Sequence, residues 1–210
     1  MKIAREGFIF IYPLILLNIF LSLLLILNYI PLSLLIIAVL VLLFCLNFFR
    51  DPLRKVPKGE NIIISPADGK VIKMEHLNDN DLGEAIIVSI FLNIFDVHVN
   101  RMPIKGKIVN TYYEKGKFLM AFNHKACDEN ERNTIKVITQ YGELKIIQIA
   151  GLLARRIMCY AKTGQFMDMG SRLGFMRFGS RIDLIIPVSI KLKIVLGQKV
   201  IGNKTIIGTF

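Results

Sequence analysis

From Gly7 to Phe49 the chain has no charged residue at all. That absence excludes an ordinary soluble surface for this stretch, because soluble domains carry about 25% charged residues. The rest of the chain is informative for what it lacks. The whole chain has three cysteines, Cys45, Cys127 and Cys159, an odd number with no C-x-x-C pair. This argues against a disulfide framework and against a zinc site, and agrees with a reducing compartment. No A-x-A site follows the apolar stretch, which is also far longer than a signal-peptide core, so a cleaved signal is disfavoured. No Met-Lys-Met or Asp-Lys-Ala stands at a hairpin tip, which argues against a swinging-arm carrier. Despite a pI near 9.7, no Lys/Arg run is interleaved with aromatics, so nucleic acid is not the expected partner. Long helical periodicity, low-complexity segments and longer repeats are missing too.

What is present divides in two. The 210 residues are 53% hydrophobic, with a formal charge of +11, and the mean hydropathy is +0.52. Residues 8–27 and 30–49 form two apolar runs, each about the 20 residues that cross a ~30 Å hydrocarbon core. Asn28, Tyr29 and Pro31 mark a turn between them. Residues 1–49 are therefore expected to form a two-helix transmembrane hairpin, with one re-entrant or interfacial segment as the alternative. Lys2 and Arg5 flank its start, and Arg50, Arg54 and Lys55 its end. The positive-inside bias places both ends in the cytoplasm. Asp51–Gly59, with two prolines, reads as linker, giving a 50–60 linker and a globular domain over 61–210.

In the globular part, short Ile- and Val-rich runs alternate with turns. They fall at Ile62–Ile64, Lys70–Met74, Ala85–Leu92, Val97–Arg101, Gly106–Tyr113, Thr134–Gln140, Leu144–Ala150, Arg181–Ile186, Lys191–Val195, Val200–Ile201 and Thr205–Ile207. A short helix is expected near Ala121–Glu131. The glycine turns at Pro66–Val71 and Gly197–Gly208 suggest a mainly β, barrel-sandwich fold of the biotinyl/lipoyl-like kind.

Three segments could carry chemistry. In Gly179-Ser180, a serine hydroxyl can attack the preceding carbonyl. The resulting ester can eliminate, leaving dehydroalanine and then a pyruvoyl group; by itself the pair is as well explained as a turn. In Phe95-Asp96-Val97-His98-Val99-Asn100-Arg101-Met102-Pro103, strand alternation would put Asp96, His98 and Asn100 on one face, with His98 suited to proton transfer. In Ser65-Pro66-Ala67-Asp68-Gly69-Lys70, Asp-Gly is either a hairpin turn or part of a site. His76 and His124 lie in polar, loop-like contexts and need no special role.

The ordered set F-F-R-D-P, I-S-P-A-D-G-K-V, F-D-V-H-V-N-R-M-P, Q-I-A-G-L-L-A-R-R-I and R-F-G-S-R resembles phosphatidylserine decarboxylase in its short bacterial form, from about Phe48 to the C-terminus. The resemblance implies a proenzyme that cleaves itself at Gly179–Ser180 into a β chain, 1–179, and an α chain, 180–210, which stay associated. It implies a covalent pyruvoyl cofactor made from Ser180, with no metal and no PLP, and a catalytic set of Ser180, His98 and Asp68. Asp96 competes with Asp68 as the orienter of the histidine. Longer members carry a second histidine where this chain has Arg101, so either His98 serves both cleavage and turnover or another group takes one step. Many members read Leu-Gly-Ser-Thr where this chain reads Phe178-Gly179-Ser180-Arg181.

The implied reaction converts phosphatidylserine, the partner in the bilayer, to phosphatidylethanolamine. The amine forms a Schiff base with the pyruvoyl carbonyl, CO2 leaves, and His98 reprotonates Cα. Arg155 and Arg156 could grip the lipid phosphate, or be a solvated basic pair. The implied location is the bacterial cytoplasmic membrane, with the globular domain facing the cytoplasm; a homo-oligomer is compatible with the sequence. The alternatives are a decarboxylase of a related serine lipid such as archaetidylserine and a non-enzymatic, membrane-tethered β adaptor.

Overall fold

The computed structural model describes residues 2–59, 61–116, 130–151, 157–177 and 179–210. It divides into two compact units, Met1–Leu53 and Arg54–Phe210.

In the first unit, α1 (Phe8–Ile26) and α2 (Leu32–Phe48) are joined by a short turn. Asn28 in that turn takes a left-handed φ of 59°, which asparagine tolerates better than most side chains. Both helices are apolar on every side, so neither has a polar face to offer water. α1 with the 3₁₀ turn before it is long and apolar enough to cross a membrane; α2, at 17 residues, is shorter. Strand β1 (Lys2–Ile3) pairs antiparallel with β2 (Arg50–Asp51), which closes the base of the unit. Arg50 and Asp51, read from the sequence as linker, therefore belong to a strand.

The second unit is mainly β, as its β-branched runs imply. Its strands are β3 (Ile62–Ile64), β4 (Gly69–Asp79), β5 (Gly83–Leu92), β6 (Val99–Arg101), β7 (Gly106–Glu114), β8 (Arg132–Thr139), β9 (Gly142–Ile149), β10 (Ile157–Cys159), β11 (Phe166–Met167), β12 (Arg172–Met176), β13 (Ser180–Pro187), β14 (Lys191–Leu192), β15 (Lys199–Val200) and β16 (Ile206–Thr209). Eight of them form one curled sheet in the order β11-β7-β8-β9-β13-β5-β4-β15. Two three-stranded sheets, β10-β12-β6 and β14-β16-β3, complete the unit.

The core lies on one face of the large sheet. Alternate residues of β5, β8, β9 and β13 point inward, among them Val88, Ile90, Ile135, Val137, Leu144, Ile146, Ile182 and Leu184, all buried. Each such side chain contributes about 1.5–3 kcal/mol by leaving water. β13 sits in the middle of this sheet, paired with β5 on one side and β9 on the other. β12, which ends at Met176, belongs to a different sheet, so the chain changes sheets between Met176 and Ser180. The expected helix near Ala121–Glu131 lies outside the described residues except for Asn130 and Glu131, both buried and non-helical.

Candidate active site

The inward row of the large sheet changes character toward one end. Ile186, Leu184 and Ile182 along β13 give way to Ser180, and Leu144 and Ile146 along β9 give way to Gln148. On β8, Val137 and Ile135 give way to Asn133. Gln148 faces Ile182 across one ladder and Asn133 across the other, so Ser180, Gln148 and Asn133 share the interior face at that end. All three are buried. Buried polar groups cost free energy unless hydrogen-bonded, so their partners define the site.

Ser180 opens β13 directly after the crossing between sheets. Its hydroxyl donates to the Arg177 carbonyl at 3.3 Å, closing a tight turn. Gly179 completes that turn at φ +66°, and an added Cβ would meet nothing within 4 Å. Glycine is therefore required here by the backbone conformation rather than by crowding.

His98 is buried beside this turn. Its carbonyl accepts from the Met176 N–H at 3.2 Å, which places it against the end of β12, one residue before Arg177. Its Nδ1 lies 2.9 Å from the Asp96 carbonyl. A carbonyl can only accept, so this contact puts the proton on Nδ1 and leaves Nε2 as the basic nitrogen. The expected common face of Asp96, His98 and Asn100 is not formed. β6 begins only at Val99, and Asp96 belongs to a turn in which its carboxylate accepts from the Asn93 N–H at 2.9 Å. Among the described residues, His98 Nδ1 thus meets the backbone carbonyl of Asp96, while the Asp96 carboxylate is engaged with the Asn93 N–H.

A chain of buried amides supports the same strand. Asn133 Nδ2 donates to Gln148 Oε1 at 3.1 Å, and Gln148 Nε2 donates to Asn100 Oδ1 at 2.8 Å. Asn100 Nδ2 reaches the His98 carbonyl at 3.5 Å. Gly174 makes room for this chain, since a Cβ there would stand 2.5 Å from Gln148 Nε2 and collide with the Met158 carbonyl. Sequence reasoning gave Asn133 and Gln148 no role. Gln148 heads one of the motifs above, but only the strand register reveals what it touches.

Asp68 is placed elsewhere. Its carboxylate takes both guanidinium nitrogens of Arg54, one at 2.7 Å, and accepts from the Gly202 N–H at 2.9 Å. Among the described residues these are its partners, and neither His98 nor Ser180 is one of them. Asp68-Gly69 makes no hairpin turn either: Gly69 begins β4, pressed so close to Phe91 that a Cβ would collide with its carbonyl. Arg54, expected in a linker, is fixed instead by Asp68 and the Gly202 carbonyl. Arg155, Arg156, His124 and Cys127 lie outside the described residues. Burial pushes the Cys159 thiol up, against hydrogen bonds from its neighbours, and disfavours a thiolate there. Among the described residues no group of three His, Cys, Asp or Glu side chains could hold a metal ion.

Immediately after Ser180, Arg181 and Asp183 point to the opposite face. Arg181 Nε and Nη2 grip Asp183 at 2.6 and 2.8 Å, and Nη2 also donates to Ser89 Oγ at 2.8 Å. Both residues are buried. This two-point pairing fixes the first turn-proximal residues of β13 within the sheet.

A buried serine after a left-handed glycine, with His98 paired through its backbone to the strand end that leads into the turn, is a set of groups that suits proton-assisted attack on the glycine carbonyl. The family model described as phosphatidylserine decarboxylase matches residues 41–208. A protein named phosphatidylserine decarboxylase proenzyme from Geotalea uraniireducens is 42% identical over 170 residues, covering 80% of each chain. Its namesake from Chlorobaculum tepidum is 44% identical over 168 residues, covering 80% of this chain and 78% of the relative. That from Aromatoleum aromaticum is 41% identical over 170 residues, covering 80% and 79%. A non-enzymatic adaptor does not account for matches of this extent, and the chain belongs to the phosphatidylserine decarboxylase family of carboxy-lyases.

Proposed function

We propose that the chain cleaves itself at Gly179–Ser180 and then decarboxylates phosphatidylserine to phosphatidylethanolamine at a membrane surface. The observation that carries this reading is the Gly179–Ser180 turn, left-handed at glycine, with Ser180 buried beside His98. Ser180 Oγ attacks the Gly179 carbonyl carbon, and His98 Nε2 receives the hydroxyl proton. The C–N bond breaks in favour of an ester, which frees the Ser180 nitrogen. Loss of the Cα proton then expels the Gly179 carboxylate and leaves dehydroalanine. Its enamine tautomerises, and one water releases ammonia and gives the pyruvoyl group at the new N-terminus.

The residues present fit that group: Ser180 is held in a buried strand start, and the open space at Gly179 leaves room for the departing carboxylate. When formed, the pyruvoyl carbonyl supplies the electron sink for loss of CO2 from the bound amine. His98 holds the proton that the product carbon needs, and the Asp96 carbonyl keeps the other proton on Nδ1, which leaves the buried Nε2 as the basic nitrogen. Asp68 acts in this reading as a positioning residue, joining Arg54 and the Gly202 turn to the loop that precedes β4. Arg155 and Arg156 are read as contacts for the lipid phosphate.

We read the first unit as a membrane hairpin with both ends in the cytoplasm, supported by two uncharged helices and basic flanks. We read the second unit as a barrel-sandwich, supported by its curled sheet and the two small sheets packed into one core.

Intact-mass analysis of the purified chain tests cleavage. Two fragments are expected, and a Ser180→Ala chain stays at 23.9 kDa. A Ser180→Ala chain that still splits and releases CO2 refutes the site. Following CO2 from phosphatidylserine and archaetidylserine side by side identifies the lipid class.

A further inference from the structure

The C-terminal segment has an unusual charge record. Between Leu184 and Phe210 there is no acidic residue, while Lys191, Lys193, Lys199 and Lys204 are all present and exposed. Lys199 stands directly across the ladder from Lys70, also exposed. Like charges directly opposite on neighbouring strands repel and destabilise the pairing. Among the described residues none of these five lysines has a carboxylate partner. Five unneutralised cations, Lys70 and Lys199 opposed across the ladder and Lys191, Lys193 and Lys204 within four residues of the 195–201 segment in the sequence, fit an anionic partner.

The 195–201 segment between these lysines carries apolar side chains that the core does not use. Val195 and Leu196 form the tip of a turn and are 67% and 64% exposed, and Ile201 is 43% exposed. The turn is rigid. The Val195 N–H donates to Gln198 Oε1 at 3.0 Å, the Gly197 N–H to the Val71 carbonyl at 2.8 Å, and the Val71 N–H to the Gln198 carbonyl at 2.9 Å. Gly197 permits it with φ +84°. A pinned turn that displays two large aliphatic side chains, flanked in the sequence by Lys193 and Lys199 and with Lys70 beside Gly197, has the composition of an interfacial membrane contact. The register also places it. Lys199 faces Lys70, Lys70 faces Phe91, and Phe91 faces Arg181, so this edge lies at the Ser180 end of the large sheet.

We propose that the 195–197 turn, together with Lys70, Lys191, Lys193, Lys199 and Lys204, docks on an anionic phospholipid bilayer. Val195 and Leu196 enter the headgroup boundary, and the lysines meet lipid phosphates and carboxylates. Docking holds the Ser180 end of the sheet close to the surface that carries the substrate. This contact is separate from the uncharged helices, and it uses only residues of the second unit.

The chain contains no tryptophan, so one introduced tryptophan reports alone. The full chain carrying Leu196→Trp, or Val195→Trp if the first does not fold, is placed in nanodiscs of phosphatidylcholine with phosphatidylglycerol. Its emission is expected to shift to the blue and to be quenched by brominated acyl chains. Ile138→Trp, at the opposite end of the sheet, is expected to do neither. Each Lys→Gln substitution at 191, 193, 199 or 204 lowers the docked-to-undocked ratio about fivefold, from ~1 kcal/mol per lysine near an anionic surface. Equal emission and quenching at positions 196 and 138 overturn the proposal. So does a blue shift that arises in lipid-free detergent and grows with protein concentration, which would assign the turn to a second copy of the chain. The readout is independent of CO2 release, so it stands or falls apart from the proposed reaction.

Discussion

Replacing Gln148 by leucine tests the buried amide chain as a device that sets His98. The change keeps the side-chain size and removes one donor and one acceptor. Asn133 Nδ2 and Asn100 Oδ1 then lose their partners at 3.1 and 2.8 Å, inside a region closed to water. Each orphaned buried group costs about 1–3 kcal/mol, so the sum is about 2–6 kcal/mol. For a domain of this size, each kcal/mol lowers the melting temperature by about 2–4 °C, and a loss near 4 kcal/mol gives about 8–16 °C. Asn100 is also the group that reaches the His98 carbonyl, so cleavage at Gly179–Ser180 slows. A displacement of the base near 1 Å is worth up to about a hundredfold. Gln148→Glu separates fold from chemistry. Buried in this pocket, the glutamate titrates above its usual range and, once protonated, again donates to Asn100. Its cleavage rate relative to the parent chain therefore rises as the pH falls. Thermal melts of the detergent-solubilised full chain, with cleavage followed by mass, supply both numbers. A Gln148→Leu chain with unchanged melting and unchanged cleavage refutes the role given to the amides.

Three further outcomes are expected. Asp183→Ala strands a buried guanidinium and destabilises by about 3–5 kcal/mol, whereas the joint replacement Arg181→Met with Asp183→Leu restores most of the melting temperature. Gly179→Ala folds, since nothing obstructs the added methyl, but pays about 1–2 kcal/mol for a left-handed φ and cleaves more slowly, as mass analysis over time will show. Asp79 is pushed up by burial, but Lys145 and the Asp81 and Leu82 amides outweigh this and hold it below its usual value, while burial lowers Lys145 and the two carboxylates return it to above its own. Asp79 thus stabilises the fold above about pH 4 and loses that contribution as the pH falls through its folded value. Lys145 contributes below about pH 10 and loses it as the pH rises through its folded value. In Lys145→Met with Asp79→Leu, the melting-temperature gap between pH 7 and pH 3 is expected to narrow.

Much of this was legible in the sequence because β-branched alternation directly reports a half-buried strand. The runs at Ile62–Ile64 and Ala85–Leu92 are strands with nearly the expected bounds. β12 was not, because Arg172-Leu-Gly-Phe-Met has a central glycine that weakens strand preference and earns its place by pairing with strands on both sides. β10 and β11 are too short to show a period. In the site, Ser180 and His98 were visible as reactive residue types in telling neighbourhoods. The orienter of His98 was not, because it is a carbonyl, which every residue possesses. Gln148 was invisible for another reason: its meaning lies in its opposition to Asn133 and Ile182, a long-range register that local spacing does not encode. The pairing of Asp68 with Arg54 likewise depends on how a segment with two prolines folds back.

If the chain is cut as proposed, the place of β13 between β5 and β9 has a consequence. A cut at its first residue frees one end of a strand whose two ladders and interior side chains remain in place. The boundary between the two pieces would then be the hydrophobic core itself, not a surface patch. Such a pair cannot exchange partners by simple dissociation, because the shorter piece leaves only if the domain unfolds. The cut would therefore act as a one-way step: once made, it leaves the two polypeptides joined for the lifetime of the fold.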